Sequence, residues 1–108
     1  MKEDLLKIIN HYGVLNQLKY IQTEYFELEE AIFDYEYSGW DFDDEDAKDL
    51  EAKYKNHIIE ELADVYVMLK QFQYYYGIEN KDIEMTMRQK IERQLDRIEE
   101  EKTQKNQK

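Results

Sequence analysis

The chain has 108 residues, with 26 Asp and Glu against 15 Lys and Arg, giving a formal net charge of −11 and a sequence pI near 4.6. It contains no Pro, no Cys and three Gly, and 42% of its residues are hydrophobic. This length suits one small domain, and the composition excludes collagen-like, disulfide-framework and thiolate-zinc readings. A mostly negative surface opposes attraction to phosphate backbones, so no nucleic-acid partner is expected. The apolar runs are too short to span a bilayer, and Met1 to Val14 mixes Lys, Glu and Asp among its apolar residues, unlike a secretory signal. The expectation is a cytoplasmic protein with no membrane partner.

Leu5, Leu6, Ile8, Ile9 and Tyr12 predict a short first helix, with a kink or break at His11-Tyr12-Gly13. From Leu18, the residues Leu18, Ile21, Tyr25, Leu28, Ile32 and Tyr35 recur at spacings of three and four and predict a long helix ending near Ser38-Gly39. Between Asp41 and Glu51, seven of eleven residues are acidic, so most of this stretch is expected to be solvated. It is not an EF-hand loop, because Asp46 stands where Gly is needed and Ala52 where the bidentate Glu is needed.

A second long helix is marked by Tyr54, Ile58, Leu62, Val65, Leu69, Phe72 and Tyr76, with Gly77 as its stop. A third begins near Lys81 and carries Ile83, Met87, Ile91, Leu95 and Ile98 on one face. The expected architecture is an all-α bundle of three to four helices over residues 1–100, followed by a polar, disordered tail over 101–108.

Two acidic pairs stand out. Glu24 and Glu27 are three apart on the first long helix, and Glu61 and Asp64 are three apart on the second, so each pair shares a helix face. If Leu18 and Leu62 each occupy heptad position a, then Glu24 and Glu61 fall at g, and Glu27 and Asp64 at c. In an antiparallel contact the four carboxylates converge on one side of the seam. Such a group repels itself unless divalent cations or shifted pKa values relieve it, and all-oxygen ligation favours Mg²⁺ or Mn²⁺. Pairs at this spacing are common in a chain with 26 acids, so the bland alternative is a set of solvated flanking positions.

The local sequences Glu24-Tyr25-Phe26-Glu27-Leu28-Glu29-Glu30-Ala31-Ile32 and Glu60-Glu61-Leu62-Ala63-Asp64-Val65-Tyr66 resemble the signature helices of the MazG-like, all-α nucleoside triphosphate pyrophosphohydrolases. The resemblance runs from about Tyr12 to Arg97. It implies Mg²⁺ ligation by Glu24, Glu27, Glu61 and Asp64, and hydrolysis of a nucleoside triphosphate to the monophosphate and pyrophosphate. It also implies a homodimer or homotetramer whose neighbouring subunits help complete the nucleotide pocket. Ten Tyr, four Phe and one Trp are more aromatic surface than one such bundle encloses, which points independently to an oligomer.

Lys90, Arg93 and Arg97 form a basic stripe on the third long helix, suited either to triphosphate oxygens or to salt bridges with Glu92, Asp96 and Glu100. Gln17 matches a family position near the nucleotide and is equally readable as a solvated side chain. Trp40 and Tyr74-Tyr75-Tyr76 could stack on a nucleobase, although aromatic residues near helix ends more often pack in a core or an interface. Two departures concern the substrate contacts: Met87 stands where many relatives have Asn, and Thr23 where many have Glu. His11 and His57 lack the Glu-x-x-His partner of a di-iron site. The rival reading is a non-enzymatic acidic helical module, either an adaptor or a mimic of nucleic acid, supported by the charge of −11 and the acidic stretch.

Overall fold

A computed structural model describes residues 1–38 and 45–106 of the chain. Among the described residues there are four helices: α1 (Lys2–Tyr12), α2 (Val14–Glu36), α3 (Glu45–Tyr75) and α4 (Asn80–Asn106). No strand occurs among the described residues. The all-α class therefore holds, and none of the helices is long and apolar enough to cross a membrane.

The joints follow from backbone chemistry. Gly13 separates α1 from α2 at φ 91°, a conformation that costs glycine little, and its N–H donates to the Ile9 carbonyl at 2.8 Å. The expected break is thus real, and α2 starts at Val14, four residues before the first residue of its periodic stripe. At its other end α2 stops at Glu36, where the Tyr37 N–H still reaches the Phe33 carbonyl and the Ser38 hydroxyl caps the Tyr35 carbonyl at 2.9 Å. Gly39, the expected stop, lies outside the described residues. Gly77 follows α3 at φ 68°, the left-handed conformation in which helices commonly end.

Two boundaries differ from the periodicity. Residues 45–51 of the acidic stretch form the start of α3, because the stretch contains no Gly or Pro to oppose a helix. Helix α4 runs to Asn106, into the stretch from residue 101 that composition predicts to be a disordered tail. Good helix formers dominate there, and Lys102 Nζ lies 3.7 Å from Glu99 Oε1 one turn back.

The chain divides into two compact units, Met1–Tyr76 and Gly77–Lys108. In the first, α1, α2 and α3 pack together. Tyr35 on the last turns of α2 donates to Glu51 near the start of α3 at 2.9 Å, while Gln17 near the start of α2 donates to Gln71 near the end of α3 at 2.8 Å. Positions rise on one helix as they fall on the other, so α2 and α3 are antiparallel. Among the described residues, those buried are Leu5 and Ile9 from α1, Gln17, Glu24 and Ala31 from α2, and Met68 and Gln71 from α3. Three of these seven are polar or charged, which makes the interior itself the place to look for chemistry. The second unit is essentially α4, a single helix with nothing of its own against which to bury its apolar stripe.

Candidate metal centre and adjoining cavity

On α2, Gln17, Glu24 and Ala31 recur every seven residues, and all three are buried. The stripe that begins one residue later does the opposite: Leu18 is 52% exposed, Tyr25 62%, and Ile32 is exposed as well. Helix α3 behaves in the same way, with Met68 buried and Leu62 and Leu69 exposed. The packing seam therefore buries the g positions most deeply and leaves the a positions exposed, while Ile21, Leu28, Val65 and Phe72 of the same periodic stripes are half-buried. One residue corresponds to about 100° of rotation around a helix. Glu24 is accordingly buried within the α2–α3 contact and Glu61 half-buried at it, whereas Asp64 stays exposed at its edge.

The structure brings together Glu24, Glu27, Glu61 and Asp64, each with a carboxylate oxygen within 4.8 Å of the others. Glu24 is only 6% exposed. Oε2 of Glu24 and Oε2 of Glu61 are both buried and lack any hydrogen-bond partner. Buried carboxylate oxygens without partners are costly and call for an explanation in the site itself. Burial raises the Glu24 pKa above its ordinary value; a hydrogen bond from the Tyr20 hydroxyl works against that shift, and the neighbouring Glu27 and Asp64 charges add to it. The Tyr20 pKa is raised in turn, first by its bond to Glu24. His57 Nε2 lies 3.4 Å from Glu61 Oε1, one helical turn back along α3.

A cavity of about 510 Å³ adjoins the carboxylates. Glu24 and Asp64 form part of its wall, and Tyr12, Asn16, Gln17, Tyr20, Met68 and Gln71 belong to the remainder. Gln17 is thus neither solvated nor isolated. Its Nε2 donates to Gln71 Oε1, and both amides contact the Met68 sulfur at 3.7–3.9 Å. A volume of this order, with aromatic and apolar walls and a few fixed polar groups, has the character of a small-molecule site.

The other sequence candidates are placed as follows. Lys90, Arg93 and Arg97 line one shallow depression on α4 together with Gln94. Among the described residues, no ion pair joins them to Glu92, Asp96 or Glu100. Trp40 lies outside the described residues. Tyr74 receives Lys2 and Lys70 over its ring, each 5.6 Å from the centroid, and Tyr75 meets Tyr76 edge to face at 5.0 Å. Three participants escape the motif reading. Tyr20 and His57 each stand four residues before an acid, a spacing visible in the sequence, whereas Gln71 carries no local signal at all.

None of the protein families, curated proteins or solved structures compared with the chain matches it.

Proposed function

We propose that the chain is a divalent-metal-dependent nucleoside triphosphate pyrophosphohydrolase, with Mg²⁺ as the cofactor and Mn²⁺ as a substitute. The observation that carries this reading is the pair of buried, unpartnered carboxylate oxygens on facing helices, inside a group of four carboxylates. Hard oxygen donors of this kind suit Mg²⁺ or Mn²⁺, and a cation would relieve both their desolvation and their mutual repulsion. Glu24, Glu27, Glu61 and Asp64 are the proposed ligands. When bound, the ion would lower the pKa of a coordinated water and neutralise charge on the phosphate oxygens.

The chain's own residues supply the rest. The cavity beside Glu24 and Asp64 offers room for the nucleoside, with Tyr12 and Met68 as apolar walls and the Gln17 amide as a polar contact. A carboxylate not engaged by the cation could accept the proton of the attacking water. Lys90, Arg93 and Arg97 are proposed as triphosphate contacts on the chemistry of their own stripe, since guanidinium forks match phosphate oxygens and their helix's acids do not occupy them. The resemblance of the two acidic helices to MazG-like pyrophosphohydrolases points to the same reaction.

The exposed apolar faces of α2 and α3 support a homodimer or homotetramer as the working assembly. Light scattering after size exclusion tests this: a monomer with full activity would reject it. The reaction itself is tested by incubating the chain with Mg²⁺ and a panel of canonical and damaged nucleotides, then reading monophosphate and pyrophosphate by chromatography. Absence of Mg²⁺-dependent pyrophosphate release across the panel would reject the enzyme and favour the acidic interaction module.

A further inference from the structure

Each of the two leading glutamates has a polar residue one turn before it on its own helix. Tyr20 stands four residues before Glu24 on α2 and lines the same cavity wall, and its hydroxyl lowers the Glu24 pKa against the burial that raises it. His57 stands four residues before Glu61 on α3, and its Nε2 approaches Glu61 Oε1 at 3.4 Å, long for a hydrogen bond but within reach of one after a small adjustment. Helix geometry explains the repetition. Side chains lean toward the helix N-terminus, so a glutamate reaches back over the residue one turn earlier on the same face. Oε2 of Glu24 and Oε2 of Glu61 are both buried and without a partner.

We infer that Tyr20 and His57 are positioning residues, matched across the α2–α3 contact, that each hold one oxygen of a leading glutamate so that the other is presented to a divalent cation. The inference rests on the metal-site reading above. A glutamate side chain has several rotatable bonds, and tethering one oxygen removes much of the freedom that binding would otherwise have to remove. Neither residue needs to touch the ion. Outer partners of metal ligands act by orienting them, and their loss typically weakens metal binding about 10–100-fold.

The test is titration of the full chain with Mn²⁺, following the electron paramagnetic resonance signal of the free ion. Tyr20→Phe removes only the hydroxyl from a half-exposed ring, and His57→Ala removes the imidazole. Each is expected to weaken Mn²⁺ binding about 10–100-fold while helix content and melting temperature in EDTA stay at wild-type values. His57→Gln, which restores an N–H donor at similar reach, is expected to recover most of the loss; a purely steric role for His57 would not respond in this way. Wild-type affinity in both Tyr20→Phe and His57→Ala, alongside lost binding in Glu61→Gln, would overturn the positioning roles and leave the metal site standing. No Mn²⁺ binding by the wild-type chain would overturn both.

Discussion

The two faces of α2 and α3 are composed in reverse of a simple helical bundle. Their inner faces bury Gln17, Glu24 and Gln71 beside Ala31 and Met68, whereas their outer faces expose Leu18, Tyr25, Ile32, Leu62 and Leu69. A bundle optimised for stability alone would rotate each helix by about 100° and exchange these stripes. The observed rotation leaves the interior polar, which is costly unless the polar groups are satisfied. Gln17 and Gln71 satisfy each other, and Tyr20 and His57 attend the glutamates, yet two carboxylate oxygens still have no partner. The inner face therefore gathers carboxylates whose buried oxygens are unsatisfied, and the outer face exposes apolar surface.

The inner face should show the largest effects. Glu61→Gln and Asp64→Asn are each expected to lower Mg²⁺-dependent pyrophosphate release by about 100-fold or more, equivalent to about 2.7 kcal/mol of transition-state stabilisation. Stabilisation of the fold by Mn²⁺, read as a shift in melting temperature, should shrink in parallel. Wild-type turnover in both variants would show that the carboxylate group is not the reaction centre.

Comparable substitutions of apolar residues should separate the interior shared by α1, α2 and α3 from the outer face. Ile9 is fully buried, and Ile9→Ala is expected to cost about 2–5 kcal/mol in denaturant unfolding. Leu18→Ala, on the exposed stripe, is expected to change the stability of the isolated chain by about 0.5 kcal/mol. Its effect should appear instead in the assembly, as a shift toward monomer in light scattering. A large unfolding penalty for Leu18→Ala under conditions where the chain is monomeric would mean that the outer stripe is core after all.

The amide pair offers a smaller and sharper test. Gln17→Ala leaves the buried Gln71 Oε1 without its donor, and an unpaired buried group of this kind costs about 1–3 kcal/mol. Replacing both residues by Leu should recover part of that loss, since no polar group is then stranded. Additive penalties in the double-mutant cycle would show that the two amides do not act as a unit.

The metal-free chain should also respond to pH through Glu24. Burial raises its pKa, so the folded chain binds a proton at this site more tightly than the unfolded chain. The resulting stability is present in full below the ordinary value of 4.5 and is lost as pH climbs through the raised folded value. Melting temperature in EDTA should therefore fall over that interval, and Glu24→Gln should flatten the fall while stabilising the metal-free fold at neutral pH. A pH profile unchanged by Glu24→Gln would remove Glu24 as its source.

Much of this molecule is written locally. Runs of three-and-four spacing mark the long helices, Gly13 and Gly77 mark breaks because their backbones adopt positive φ, and the two acid pairs must each lie on one helix face whatever surrounds them. Convergence of Glu24, Glu27, Glu61 and Asp64 follows once α2 and α3 run antiparallel. What the sequence could not determine was which stripe turns inward. Periodicity shows that a helix has an apolar face but not what covers it, and here one row of that face (Leu18, Tyr25, Ile32, Leu62, Leu69) is left exposed, another (Ile21, Leu28, Val65, Phe72) is half-buried, and the adjoining row with Gln17, Glu24 and Met68 is buried. Gln17 and Gln71 are 54 positions apart and meet only because the helices are antiparallel in one register. The cavity beside the carboxylates likewise exists only between packed elements, since no single helix has an inside. Sequence determined the helices and the acids they carry; tertiary packing decided their rotation, because that depends on the sum of contacts from all three helices and not on any one helix's pattern.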